Sequence, residues 1–126
     1  MKQEITSADA WLVVCLCAAW CGTCKQYRQL FEVLALQFPH MRFVWLDVED
    51  REDVAGDLDI ETFPSVLIAQ GEQAKFLGPV LPQGGVLARM LQSLPADAAA
   101  RPVQVQEAQE LLRRVLQADD LQDVLR

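Results

Sequence analysis

Unbroken apolar stretches alternate along this chain with segments whose apolar residues recur at helical spacing. Residues 11–17 and 41–48 are apolar with little alternation, which is typical of strands covered on both faces of a sheet. The segment between them, from Cys21 to Phe38, repeats its apolar residues every three or four positions and ends before Pro39. These repeating positions are Tyr27, Leu30, Phe31, Leu34 and Phe38. The pattern predicts a strand, a helix and a second strand.

Two shorter strands are predicted in the second half of the chain. Residues 63–68 are apolar apart from a proline and a serine near their start, where a strand tolerates proline. Gly71 supplies a turn, and residues 74–77 are predicted to form the second strand of a hairpin. We expect this strand to end before Gly78 and Pro79.

Three further helices complete the predicted order. An acidic run at residues 50–53 begins a short helix, residues 82–94 form another, and residues 104–117 form the last, after a linker at residues 95–102. The predicted inward stripe of the last helix is Val105, Ala108, Leu112, Val115 and Leu116. The order β-α-β-α-β-β-α-α mixes parallel crossovers with one hairpin, which predicts an α/β fold with a central mixed sheet and helices on both faces.

Length and charge limit the organisation and the partners. The chain has 126 residues, with 18 Asp and Glu against 11 Lys and Arg, which argues against nucleic acid or an anionic membrane as a partner. We expect residues 1–95 to form one domain and residues 96–126 to be a linker and a helical extension. The apolar stripe of that extension must be covered, by the domain or by a partner. We expect a monomer, with a dimer through the last helix as the alternative.

The apolar run at residues 10–20 resembles the core of a signal peptide but is about half the length of a spanning helix. Glu4 and Asp9 precede it where a signal peptide is basic, so we interpret it as a buried strand and expect a cytoplasmic protein. Disulfides in that compartment are usually transient and catalytic.

The chemistry of the chain is concentrated in Cys21-Gly22-Thr23-Cys24, at the start of the first predicted helix. Unpaired backbone N–H groups and the positive end of the helix dipole favour a thiolate there, so Cys21 is the candidate nucleophile and Cys24 the resolving thiol. A metal site that also uses Cys15 and Cys17 is an alternative, as is a dithiol retained for folding or partner binding. Both extra cysteines are expected to be small buried packing residues, with a role of Cys15 in the redox cycle as the alternative.

His40 is the lone histidine, and it follows Pro39 in a turn far along the chain from the cysteine pair. A Cys–His hydrolase requires a histidine beside the nucleophile, so we expect His40 to be a surface residue.

Three motifs taken together resemble the thioredoxin family. They are Trp20-Cys21-Gly22-Thr23-Cys24-Lys25, Asp47-Val48-Glu49 at the end of the second strand, and Thr62-Phe63-Pro64 before the third, with Gly71 and Gly78 where that family has glycines. The resemblance implies a thioredoxin fold and a thiol–disulfide oxidoreductase that acts on protein disulfides. It implies a cis peptide bond before Pro64, which faces the dithiol, and no cofactor beyond the Cys21–Cys24 disulfide.

The resemblance also implies the residues around the dithiol and the partners. The expected substrate-binding residues are Trp20, Gly22, Thr23, Phe63, Pro64 and Gly78; plain core packing is the alternative for Trp20. The expected partners are protein disulfides and a thioredoxin reductase or a similar electron donor. A thioredoxin-fold binding or chaperone-like module, which uses the last helix to recruit a partner, is the alternative function.

The chain departs from the family at two positions that would tune the dithiol, in addition to a shorter N-terminus and a Gly-Thr pair between the cysteines. Cys15 stands where the resemblance places a buried acid, and Trp45 where it places a lysine. We therefore expect no proton acceptor for Cys24 at the usual place and no cation beside position 15. Lys25 is a third candidate for tuning, because its charge adjoins the resolving thiol; a solvated helix charge without that role is the alternative.

Overall fold

The computed structural model describes residues 10–18, 22–56, 63–80, 84–96, 106–118, 120–121 and 124. Within these stretches eight elements follow one another in the predicted order. They are β1 (Trp11–Cys17), α1 (Gly22–Gln37), β2 (Met41–Asp47), α2 (Glu52–Ala55), β3 (Ser65–Gln70), β4 (Gln73–Pro79), α3 (Gly84–Ala96) and α4 (Gln106–Gln117).

The described strands form one mixed sheet in the order β2-β1-β3-β4. β1 runs parallel to β2 and antiparallel to β3, and β4 pairs with β3 as an antiparallel edge strand. The parallel pair requires a crossover, which α1 supplies, whereas a tight turn at Gly71 joins β3 to β4. The φ of Gly71 is 60°, a conformation that glycine adopts without steric cost. The fold is the α/β class with a mixed sheet that the sequence predicts.

Helices cover both faces of this sheet, because alternate side chains of a strand point to opposite sides. One buried cluster joins the odd-numbered residues of β1 to α1 and α3. The second cluster joins the even-numbered residues of β1 to α2 and α4. Both faces of β1 are therefore covered, which explains why its sequence is apolar without alternation.

The two hairpin strands differ from the prediction in their limits. β3 begins at Ser65, after a cis Phe63–Pro64 peptide bond, rather than at Phe63. β4 does not end before Gly78 but continues through it to Pro79. An edge strand accommodates Pro79 because the outer side of such a strand needs no backbone N–H for pairing.

The helices are short, and α1, with 16 residues, is the longest of those described. No helix in the described part of the chain is long and apolar enough to cross a membrane. α3 includes Pro95, which the sequence assigns to a linker, and ends at Ala96. Its predicted start at Pro82 and the rest of that linker lie outside the described residues.

The last helix, α4, packs on the sheet face opposite α1 and α3. Its buried residues are Ala108, Leu111, Leu112 and Val115. The prediction that Leu116 belongs to this stripe is wrong, since 44% of its surface is exposed, whereas Leu111 is fully buried. Leu111 lies one turn before Val115 on the same face, whereas Leu116 is rotated about 100° further around the helix. Val105, also predicted in the stripe, lies outside the described residues.

Candidate functional site

Cys24 lies in the first turn of α1 and is 2% exposed. Its sulfur is bonded to that of Cys17, the last residue of β1, and the two Cα atoms are 5.9 Å apart. That separation is within the usual range for a disulfide. The bond therefore joins the end of the central strand to the start of the helix that crosses over it.

This pairing differs from the one that the sequence indicates. The C-x-x-C spacing pairs Cys24 with Cys21, and Cys17 was expected only to pack in the core. Cys17 is indeed buried, with 1% of its surface exposed, but it is also the bonded partner of Cys24. Trp20 and Cys21 lie outside the described residues, so the roles assigned to them stay predictions.

Cys15 is the free thiol of this cluster, and none of its surface is exposed. Its Sγ lies 3.8 Å from Cys17 Sγ, because residues two apart on a strand point to the same face. Burial raises the pKa of the Cys15 thiol far above its ordinary range, and the positive charge of Arg28 opposes part of this rise. Cys15 is therefore a neutral thiol at physiological pH. A neutral thiol is a poor proton acceptor, which agrees with the expectation for this position.

Trp45 brings no charge to position 15, as expected, but the positive charge of Arg28 acts on Cys15 from a different element. Trp45 pairs with Cys15 across β1 and β2, as the resemblance implied for these two positions. The Arg28 guanidinium lies over the Trp45 ring, 5.0 Å from its centroid, and Arg28 Nε donates a 3.2 Å hydrogen bond to Glu32. Arg28 therefore supplies a positive charge near Cys15 from a different element. Its position four residues after Cys24, on the same side of the helix, is the sequence signal that could have identified it.

Tyr27 is a second residue that packs in the cluster with the buried cysteines, and the sequence pattern indicates only that it is part of the core. Its side chain is fully buried, and its hydroxyl has no hydrogen-bond partner among the described residues. Burial raises the pKa of the Tyr27 hydroxyl, and the neighbouring Cys15 raises it further. The phenol thus adds a buried, protonated group to the surroundings of the cysteine cluster.

A row of backbone pairs connects several predicted site residues across the sheet. Val66 of β3 pairs with Cys15 on one side and with Gly78 of β4 on the other. Gly78 is half-buried, and a side chain added there would meet the Phe76 ring at 3.3 Å. Gly78 thus lies in the strand row of Cys15, while its role in substrate binding stays a prediction.

The remaining predicted site residues lie in the first turn of α1 and directly before β3. Gly22 is exposed at the start of α1, Thr23 is half-buried, and Lys25 is exposed. Phe63 is half-buried and packs against the cluster that contains Cys17 and Cys24. The Phe63–Pro64 bond is cis, as the resemblance implied, and the Pro64 carbonyl accepts a 3.1 Å hydrogen bond from the Val80 N–H. His40 is exposed in the turn after α1, as expected.

A metal site formed by all four cysteines was one alternative for the chemistry. Two of the sulfurs are joined in the Cys17–Cys24 bond. Among the residues with a described placement, no group of three or more His, Cys, Asp or Glu side chains is arranged to hold a metal ion. Cys21, which a four-sulfur metal site would also need, lies outside the described residues.

Comparison with known proteins points to one family. A protein-family model named Thioredoxin matches residues 1–91. Thioredoxin H-type from Fagopyrum esculentum is 32% identical over 74 residues, which are 58% of this chain and 64% of that protein. The chain thus spans just under two thirds of the length of this curated relative.

Solved structures share the fold. The crystal structure of thioredoxin from Trypanosoma brucei brucei has a TM-score of 0.62 and 25% identity, and the match covers 75% of this chain and 82% of that one. The X-ray structure of Fasciola hepatica thioredoxin has a TM-score of 0.63 and 20% identity, with 73% and 88% covered.

Proposed function

This chain belongs to the thioredoxin family, and we propose that it is a thiol–disulfide oxidoreductase that reduces protein disulfides through Cys21 and Cys24. The observation that carries the proposal is the position of Cys24. Its sulfur is buried in the first turn of α1, in a disulfide, three residues after a second cysteine that directly precedes the helix.

The reaction follows from the different surroundings of the two thiols. The Cys21 thiolate, favoured by the start of α1, attacks one sulfur of a substrate disulfide, forms a mixed disulfide and releases the other sulfur as a thiolate. Cys24 then loses its proton and attacks Cys21, so that a Cys21–Cys24 disulfide forms and the bond to the substrate breaks. The substrate disulfide is reduced and the enzyme dithiol is oxidised, with two electrons transferred.

Continued turnover requires a donor that returns two electrons to the dithiol. The proposed donor is a thioredoxin reductase or a similar enzyme, and the proposed compartment is the cytoplasm, where such donors keep thiols reduced. Phe63 packs against the cluster that contains Cys17 and Cys24, and the Phe63–Pro64 bond is cis. This supports a role for them, with Gly22 and Thr23, in binding the extended substrate.

Insulin reduction with dithiothreitol as the electron source tests the proposal without knowledge of the natural donor. Wild type is expected to accelerate the reduction, whereas Cys21→Ser and Cys24→Ser should lose this acceleration. Cys24→Ser should accumulate a mixed disulfide through Cys21, because the resolving attack is absent. His40→Ala, an exposed change beyond the far end of α1, serves as the control and should keep wild-type activity.

A short pulse of iodoacetamide on the reduced protein tests the assignment of roles. Cys21 alone is expected to be labelled rapidly at neutral pH, because Cys17 and Cys24 are almost fully buried. Faster labelling of Cys24 or Cys17, or full insulin reduction by Cys21→Ser, would contradict the proposal.

The alternative of a binding module that recruits partners through its last helix receives less support. The apolar face of α4 is covered by the sheet of the same chain, with Leu111 and Leu112 at most 1% exposed. That face is therefore occupied in the structure.

A further inference from the structure

Three of the four cysteines form one buried group, which we call the sulfur cluster: Cys15, Cys17 and Cys24. Each is at most 2% exposed. Cys24 is bonded to Cys17, and Cys15 Sγ lies 3.8 Å from Cys17 Sγ on the same face of β1. The reduction step proposed above uses Cys24 but gives no role to Cys17.

We propose that Cys17 is a third catalytic thiol, which takes Cys24 from the Cys21–Cys24 disulfide and moves that disulfide into the core. This inference rests on the proposed function, because the Cys21–Cys24 disulfide is the product of substrate reduction. Cys24 then has two alternative partners, Cys21 at the start of α1 and Cys17 at the end of β1. The structure shows the second of these two oxidised forms.

The exchange needs no external oxidant or reductant. The Cys17 thiol loses its proton and attacks Cys24 Sγ, the Cys17–Cys24 bond forms, the Cys21–Cys24 bond breaks, and Cys21 leaves as a thiolate. The released proton goes to solvent or to the leaving thiolate. One disulfide is present before and after the step, so no electrons are gained or lost.

Two features favour the inner disulfide. The exchange leaves the negative charge on Cys21, where the start of a helix stabilises it, and places an uncharged disulfide in the apolar core. The reverse attack on Cys24 would expel Cys17 as a thiolate in that core.

The exchange changes what the oxidised protein can do. With Cys24 held by Cys17, the disulfide is almost inaccessible to solvent thiols. The exchange step also releases Cys21 as a thiolate, which is again a nucleophile. Cys21 can then form a mixed disulfide with a second disulfide compound, and no resolving thiol is available to break it. Oxidised protein should therefore capture one glutathione from oxidised glutathione, with release of one reduced glutathione.

Peptide mapping of the oxidised full-length protein tests the inference. The reduced protein is oxidised with diamide, free thiols are blocked with N-ethylmaleimide under acidic conditions, and the protein is cut with chymotrypsin. Cleavage after Leu16, Trp20 and Tyr27 separates Cys17 from the peptide that contains Cys21 and Cys24. The expected major product is the Cys17 peptide linked to residues 21–27, with the maleimide on Cys21. An unlinked peptide 21–27 with an internal disulfide, and the maleimide on Cys17, would overturn the inference.

Two matched variants extend this test. Cys17→Ala and Cys15→Ala remove equally buried thiols from the same face of β1. Oxidised Cys17→Ala should carry no free Cys21 and capture no glutathione, whereas oxidised Cys15→Ala should capture one per chain, as wild type does. If Cys17→Ala does not fold, the wild-type peptide map decides alone.

Failure of the inference can be told apart from failure of the proposed function. Insulin reduction by a protein whose only oxidised form is Cys21–Cys24 would overturn the inference and leave the proposed function intact. A linked Cys17 peptide in a protein that does not reduce insulin would overturn both the proposed function and the exchange step.

Discussion

Arg28 holds its guanidinium 5.0 Å from the centroid of the Trp45 ring, so a positive charge of α1 is fixed over the strand that pairs with Cys15. The charge acts on Cys15 electrostatically, because Arg28 opposes the rise of its pKa that burial causes. Position 15 thus holds a neutral thiol on which a cation of α1 acts, where the family resemblance implies an acid with a lysine partner.

Because a neutral Cys15 is a poor base, we predict that release of reduced substrate is slow at neutral pH in wild type and accelerates as pH rises. Cys15→Asp should accelerate this step at pH 7 by about tenfold or more, since a carboxylate can accept the Cys24 proton. The measurement is single-turnover release from the mixed disulfide as a function of pH. Rapid release by wild type that does not depend on pH would show that another group supplies the base.

The same variant tests the role of Arg28 through stability. A buried carboxylate should cost on the order of 3 kcal/mol if it is unpaired, and less if a cation is within reach. Arg28→Met in the Cys15→Asp background should therefore destabilise more than Arg28→Met in wild type, where the loss should be at most about 1 kcal/mol. Equal losses in both backgrounds would mean that the Arg28 charge does not reach position 15.

The parts of the fold that the sequence predicts well are those that local pattern determines. The apolar runs gave β1 with its observed limits and β2 to within one residue, because strands covered on both faces have a distinct composition. The limits of β4 were missed because a proline ends an inner strand but not an edge strand.

The parts of the site that the sequence did not predict depend on packing between elements. Arg28 and Trp45 are 17 positions apart, and nothing in the local pattern indicates that one lies over the other. The C-x-x-C spacing also favours the local pair over Cys17 and Cys24, which approach each other only because α1 starts close to the end of β1. Contacts of this kind follow from tertiary geometry.

The raised pKa of Cys15 predicts a loss of stability at alkaline pH. Burial lifts the pKa of the folded-state thiol above its ordinary value of 9.0, so the unfolded chain releases this proton first. The contribution of the Cys15 thiol to the free energy of unfolding is fully present below this ordinary pKa. It is lost as pH rises above it, by about 1.4 kcal/mol per pH unit. The difference in unfolding free energy between wild type and Cys15→Ala should therefore shrink above about pH 9 with this slope.

Urea unfolding in the presence of a phosphine reductant measures this difference. The other cysteines titrate in both proteins, so their contributions cancel in the comparison. Tyr27→Phe is the control, since the ordinary pKa of tyrosine is 10.0 and its contribution should begin to fall about one pH unit higher. A constant difference between wild type and Cys15→Ala from neutral to alkaline pH would contradict the prediction.

The packing of α4 predicts a contrast between two leucines five positions apart. Leu111→Ala should cost about 2–5 kcal/mol, because the side chain is fully buried against the sheet. Leu116→Ala should change stability by less than about 0.5 kcal/mol, because 44% of this side chain is exposed. Reversible chemical unfolding of the two variants and wild type measures both changes in stability. Similar costs at the two positions would mean that α4 is rotated relative to the structure.

The last prediction concerns the contact between Gly56 and Arg114, which joins α2 to α4. Gly56 has a φ of 64°, and a Cβ atom there would lie 2.8 Å from Arg114 Cζ. The Arg114 guanidinium donates hydrogen bonds to the carbonyls of Val54, at 2.6 Å, and Ala55, at 3.0 Å. Gly56→Ala should therefore add backbone strain of about 1–3 kcal/mol and also displace the guanidinium from both carbonyls.

A double-mutant cycle separates these two effects. Arg114→Ala should cost about 1–2 kcal/mol, and Gly56→Ala should cost about 1 kcal/mol less in the Arg114→Ala background than in wild type, because the clash is then gone. Arg113→Ala, an exposed change one position earlier on α4, is the control and should be additive with Gly56→Ala within about 0.5 kcal/mol. Additivity of Gly56→Ala with Arg114→Ala would mean that the guanidinium does not hold its position over Gly56.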